Sequence, residues 1–130
     1  MEPVHLTTLD SEGLKQFIDS FDHVFSDCDG TGIFTHIVSE ESKRNPIQLG
    51  KPGKAFGEFA MKRASVTDPS RVLFIGDMIE QDIGLGKAVG FKTLLVLTNN
   101  TKETMLSHQT RPDYYADSLG CLVPVLSKLV

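Results

Sequence analysis

The stretch RVLFIGDMIEQDIGLGKAVGFKTLLVLT, Arg71–Thr98, decides the fold. Its first seven residues form an apolar run that ends in Gly76-Asp77, the pattern of a strand buried on both faces of a parallel sheet. A helix is expected from about Ile79 to Val89, with Gly90 placed to cap its C-terminus. Lys92–Thr98 then reads as a second buried strand, followed by TNNTKE as a polar loop. Strand, helix and strand within 28 residues is one parallel crossover unit, which a helix-covered sheet repeats.

Working outward, the same alternation recurs. Leu14, Phe17, Ile18 and Phe21 fall at helical spacing after Asp10 or Ser11, either of which can cap the helix. His23–Asp27 reads as a short buried strand that ends at an aspartate. Residues 33–48 are poorly patterned, and a short strand around Phe34–Val38 followed by loop is the expectation there. An amphipathic helix is predicted over Lys54–Ala64, with Phe56, Phe59, Ala60 and Ala64 on one side and Asp68-Pro69-Ser70 ending it. Tyr114–Ala116 reads as a last strand. Asp117 or Ser118 would cap a closing helix carrying Leu119, Leu122, Val123, Leu126 and Leu129. The predicted class is α/β, a three-layer Rossmann-like core with a reduced parallel sheet, forming a single domain over residues 1–130.

Composition excludes several functions. The chain has 17 acidic and 13 basic residues, a net charge of −4, so charge gives no reason to expect nucleic acid or an anionic membrane as partner. Two cysteines, Cys28 and Cys121, make neither a disulfide framework nor a metal-ligand spacing. The start, MEPVHLTTLD, lacks the apolar run of a signal peptide, and no apolar stretch is long enough to span a bilayer. The expected location is cytoplasmic.

Parallel sheets place ligands at the carboxyl ends of their strands. Two of the predicted strands end in acid, Asp27 and Asp77, and Asp29 and Asp82 follow closely. Carboxylates gathered within several ångströms repel one another unless a cation lies among them, and oxygen-only ligands suit Mg²⁺. One carboxylate can then attack phosphorus while its neighbour moves protons. Lys51, in a turn ahead of a helix, is placed to hold substrate oxygens. Turn and cap roles are the commoner fate of any single aspartate. Four of them on this strand pattern favour a shared site.

These residues carry a resemblance. Asp27-Cys28-Asp29-Gly30-Thr31 is similar to the DxDG(T/V) signature of the haloacid dehalogenase (HAD) superfamily. LGKP, Leu49–Pro52, looks like its lysine motif, and GDMIEQD, Gly76–Asp82, like its GDxxxxD motif. SFDHVFSDCDG, LGKPGKAF, residues 68–98 and PDYYADSLGCLVPVL resemble the 4-nitrophenylphosphatase, phosphoglycolate and pyridoxal phosphatase branch. The resemblance implies that Asp27 is a nucleophile forming a phosphoaspartate and also a Mg²⁺ ligand. It makes Asp29 the general acid and base, with its carbonyl on the metal. Lys51 would steady the nucleophile and the phosphoryl group, and Asp77 would bind the metal. Gly76 and Asp82 would support that shell. Cys28 falls at a variable position of the motif.

The chain also departs from the branch. Only the 21 residues Gly30–Gly50 separate Asp29 from Lys51, too few for the branch's cap domain. The hydroxyl motif that binds the phosphoryl group is missing as well. Thr35 and Ser39 are weak substitutes. Thr98-Asn99-Asn100 reads like that second motif but follows the wrong strand. Gly32 stands where the family has an apolar residue. The glycines of GLGKAVG, Gly84–Gly90, lie in or at the end of a helix and fail the context of a nucleotide loop, so close packing is the expected role of Gly86. His5, His23, His36 and His108 are scattered and read as non-catalytic.

The expected function is a capless Mg²⁺-dependent phosphomonoester hydrolase acting on small phosphorylated metabolites of the phosphoglycolate, pyridoxal phosphate or 4-nitrophenyl phosphate type. The competing reading is a catalytically impaired remnant that binds metal, or dimerises through an exposed edge near the strand that carries Asp27. A response-regulator receiver domain shares the sheet and the acid pocket. It fails on the split acids and on the early position of Lys51.

Overall fold

Alternation along the strands explains how the sheet is covered on both sides. The computed structural model describes residues 2–26, 39–43, 47–48 and 54–127. Six strands, β1 (Val4–His5), β2 (His23–Ser26), β3 (Ile47–Gln48), β4 (Val72–Gly76), β5 (Lys92–Val96) and β6 (Tyr114–Ala116), form one sheet in the order β1-β6-β5-β4-β2-β3. All five pairings are parallel. β4 sits inside the sheet, flanked by β2 and β5, and every one of its residues is buried.

On one face Val24, Leu73, Ile75, Leu94 and Ala116 pack beneath Leu14, Phe17 and Ile18 of the Ser11–Asp19 helix and beneath Leu122 and Leu126 near the chain's end. Residues one position along the same strands point the other way. Phe25, Val72 and Phe74 meet Ala60 of the Lys54–Arg63 helix, Leu85 of the Gly84–Val89 helix, and Phe91. A third cluster joins Ile79, Ile83, Leu95 and Tyr115 to Met105 of the Lys102–Ser107 helix. The period-2 alternation thus produces the predicted three layers.

Two caps sit where the sequence places them. Asp10 accepts a 2.7 Å hydrogen bond from the Gly13 amide at the start of the first helix. Gly90 ends the Gly84–Val89 helix at φ +90°, a left-handed conformation that favours glycine. Ser118 Oγ accepts from the Cys121 amide ahead of the last helical segment. That segment is a 3₁₀ turn at Gly120–Leu122 running into Val123–Leu126.

Three expectations need amendment. The TNNTKE loop is shorter than predicted, because Thr101 caps a helix at Lys102–Ser107: the Thr104 amide donates to Thr101 Oγ1 at 3.1 Å. Phe59 does not share the inward side of its helix; it is 58% exposed, while Gly57 and Ala60 are buried. Gly57 lies so close to Leu85 and Val89 that the inward stripe is built of small residues. Two-residue strands β1 and β3 join the two edges without an alternating pattern of their own. The strand expected at Phe34–Val38 and the hydroxyl of Thr35 lie outside the described residues. β3 leaves β2 one strand in from that edge of the sheet.

Candidate active site at the carboxyl end of the sheet

Asp77 follows directly on β4, so its backbone leaves the sheet at the strands' carboxyl end. β2 runs parallel beside it with Ser26 opposite Ile75, and Asp27 is the next residue in the chain. Asp27, Asp29 and Lys51 themselves lie outside the described residues. The described part of the site is its β4–β5 half.

Gly76 is required by space rather than by backbone conformation. A Cβ at this position would overlap the Asp82 side chain, striking its Cβ, Cγ and Oδ2. Asp82 is fully buried. Its Oδ2 accepts hydrogen bonds from the amides of Asp77 and Met78, both at 3.0 Å. Asp82 therefore caps the turn from inside the helix it belongs to, and Asp77 does not act as that helix's cap. The helix that follows begins with an irregular turn. Residues Ile79–Ile83 form a π-type turn, with the Ile83 amide reaching back to the Met78 carbonyl at 3.3 Å, before regular α-helix begins at Gly84. Such turns recur at functional sites. The five-residue spacing from Asp77 to Asp82 thus has a mechanical reason: it brings one acid back beneath the backbone that displays the other.

Asp77 is half-buried and held from the far side as well. Asn99 Nδ2 donates to Asp77 Oδ2 at 2.7 Å, and Asn100 Nδ2 donates to the Asp77 carbonyl at 2.9 Å. Both asparagines come from the short loop after β5, which pairs with β4 at Gly76–Leu95. Sequence reasoning missed them as partners of Asp77. The signal available was the register of two adjacent parallel strands, which puts a loop after β5 beside the end of β4. Thr98, the hydroxyl in the motif-like triplet, is exposed. β5 lies on the opposite side of β4 from β2, as the family's strand order implies.

Beside this acid opens a cleft of about 420 Å³, lined by Met78, Glu80, Gln81, Asn99, Asn100 and His108 among others. His108 Nε2 lies 3.8 Å from Glu80 Oε1. His5 is instead taken up by Thr7 and Asp117. Gly86 matches its expected packing role, since a Cβ there would crowd Thr93 Cγ2 at 2.5 Å.

The family model Hydrolase_like, "HAD-hyrolase-like", matches residues 48–122, more than half of the chain. The chain belongs to this HAD-like hydrolase family. Phosphoglycolate phosphatase 2 of Arabidopsis thaliana is 32% identical over 100 residues, covering 75% of this chain and 33% of that protein. Glycerol-3-phosphate phosphatase of Gallus gallus is 33% identical over 107 residues, covering 75% and 34%. This HAD-like chain spans about a third of the length of those relatives. A 4-nitrophenylphosphatase from Thermotoga maritima shares the fold at a TM-score of 0.50 and 24% identity, over 92% of this chain and 52% of that one.

A cation is implied by the family, and the described half of the site fits one of hard character. Asp77 offers a carboxylate at a strand end. The amides that would otherwise bind it back to its own turn are taken by Asp82. Oxygen donors of this kind suit Mg²⁺. Among the described residues no three His, Cys, Asp or Glu side chains gather into a metal cluster. Among the described residues no helix is long and apolar enough to cross a membrane.

Proposed function

We propose that the chain is a Mg²⁺-dependent phosphomonoester hydrolase of the HAD type, acting on small phosphorylated metabolites through a phosphoaspartate. The observation that carries this reading is the Gly76–Asp77–Asp82 arrangement at the carboxyl end of β4, beside the strand that leads into Asp27. Membership of the family and kinship with phosphatases support it.

In this mechanism a carboxylate oxygen of Asp27 attacks phosphorus and the bond to the leaving oxygen breaks. Asp29 gives that oxygen its proton. Asp29 then takes a proton from water, whose oxygen attacks the phosphoaspartate, releasing inorganic phosphate and restoring Asp27. Lys51 holds the phosphoryl oxygens against the crowd of negative charge. Asp27, the Asp29 carbonyl and Asp77 would hold Mg²⁺, with Gly76 and Asp82 shaping the turn that presents Asp77. When bound, the ion neutralises charge on the phosphoryl oxygens.

No cap fits between Asp29 and Lys51, so substrate choice should be broad and water should enter freely. Loss of the phosphoryl-binding hydroxyl should cost about a hundredfold to a thousandfold in rate, by analogy with loss of one oxyanion donor.

The test is hydrolysis of 4-nitrophenyl phosphate with Mg²⁺, beside EDTA and an Asp27→Asn control. Turnover that needs the metal and vanishes in the control supports the enzyme. A folded chain whose melting temperature rises with Mg²⁺ but which never turns over would favour the metal-binding remnant instead.

A further inference from the structure

We infer that Asn99 and Asn100 are positioning residues for Asp77, a pair of amide clamps that fix which carboxylate oxygen the acid offers to a cation. The inference rests on the proposed Mg²⁺ site and extends it to residues outside the motifs that define it.

Two consecutive side chains grip different parts of one residue. Asn99 binds the carboxylate at Oδ2, and Asn100 binds the backbone carbonyl of the same residue. Asp82 holds the Asp77 amide from below. Amide, carbonyl and carboxylate of Asp77 are therefore each committed to one partner. Among the described residues only Oδ1 is left without a hydrogen-bonded donor. A carboxylate fixed in this way meets a cation through one chosen oxygen, which is how partners behind a ligand tune metal binding.

The clamp is built on rigid ground. The loop that carries it is five residues long, Leu97–Thr101. At one end, the Leu97 amide donates to the Ala116 carbonyl at 2.9 Å, tying the exit of β5 to β6. At the other, Thr101 accepts from the Thr104 amide through its side chain and from the Met105 amide through its carbonyl. Met105 is fully buried against Ile79, Ile83 and Leu95, which anchors the short helix to the turn that carries Asp77. The clamp and the acid it holds are thus braced on the same apolar cluster. That is what holding a ligand within a fraction of an ångström requires.

Chemistry selects asparagine here. Its amide donates to a carboxylate without adding a charge that would compete with the cation, as a lysine would, or repel the acid, as an aspartate would.

The test is a Mg²⁺ titration followed by thermal melting, which reads binding without any turnover. For Asn99→Ala, about a tenfold weaker Mg²⁺ response is expected. The metal-free melting temperature should stay within about 3 °C of the parent, because the residue is exposed. Asn99→Gln, which keeps an amide on a longer arm, should fall between the two. Asp77→Asn should abolish the response. An Asn99→Ala protein that binds Mg²⁺ as well as the parent overturns the inference alone. So does one whose metal-free melting temperature collapses, since the residue would then be structural. A parent chain with no Mg²⁺ response at all overturns the proposed function together with it.

Discussion

Replacing Gly76 by alanine adds one methyl group where, among the described glycines, a Cβ has least room. The added carbon would collide with Asp82 at Cβ, Cγ and Oδ2. Because Asp82 is fully buried and its carboxylate receives two backbone amides, it cannot swing away without losing at least one of those bonds. Hydrogen bonds to a charged group contribute about 1.5–3 kcal/mol each, and forced overpacking alone costs about 1–3 kcal/mol. Gly→Ala recovers at most about 1 kcal/mol by restricting the unfolded chain. The net loss is therefore about 1.5–5 kcal/mol, a large part of the 5–15 kcal/mol that typically separates folded from unfolded protein. For a chain of this size that lowers the melting temperature by about 6–20 °C. The assay is thermal and urea unfolding followed by circular dichroism, with Gly84→Ala as the control. Gly84 lies in right-handed helical conformation, and a Cβ there would meet only the Ile79 carbonyl at 3.8 Å. A Gly76→Ala protein that unfolds within about 0.5 kcal/mol of the parent, the range of ordinary surface changes, would refute the role assigned to this close contact.

Gly84→Ala should itself stabilise the protein by about 0.5–1 kcal/mol, the helical advantage of alanine over glycine, and the same urea series measures it. Asp113→Ala should cost about 2–4 kcal/mol, read from the urea midpoint, because it strands the Thr93 amide. Thr93 is fully buried, and Asp113 Oδ2 takes both its amide and its hydroxyl, at 2.9 and 3.2 Å. Tyr114 titrates above its ordinary 10.0, through burial first and the nearby Asp113 charge second. Its raised value means the folded state holds the proton longer than the unfolded one, so its contribution to stability is complete below pH 10 and is lost as pH rises further. Tyr114→Phe should therefore flatten the fall in urea midpoint as pH rises above about 10.

How much of this was legible beforehand depended on whether a residue's role was local. β4 declared itself because burial on both faces leaves a continuous apolar run. Asp10 and Gly90 did so because caps and left-handed ends have narrow chemistry. Gly86 was readable as a packing glycine for the same local reason. By contrast, β1 and β3 have two residues each and take their strand character from a neighbour already in place. The Lys102–Ser107 helix hid because six residues carry too little periodicity, and its one buried anchor, Met105, gains meaning only against Ile79 and Ile83. Phe59 misled because a phenylalanine at helical spacing suggests a core position, whereas Gly57 and Ala60 let this helix approach closely on a different stripe.

In the candidate site the same division has a chemical consequence. Gly76, Asp77 and Asp82 form one local device that five residues of spacing encode, so the motif could be read from the chain alone. Asn99 and Asn100 reach Asp77 from 22 and 23 residues away, and only the pairing of β4 with β5 brings them there. Every described contact that holds Asp77 comes from the β4–β5 unit and the turns at its end. None of these contacts depends on the segment where the branch carries its second motif and cap. A chain shortened in that segment can therefore keep the proposed metal-binding edge while losing groups that bind the phosphoryl oxygens and shield them from water. Folding and cation binding are then separable from turnover. For that reason a Mg²⁺ titration and a hydrolysis assay on the same preparation distinguish a working phosphatase from a scaffold that has kept only the acid half of its site.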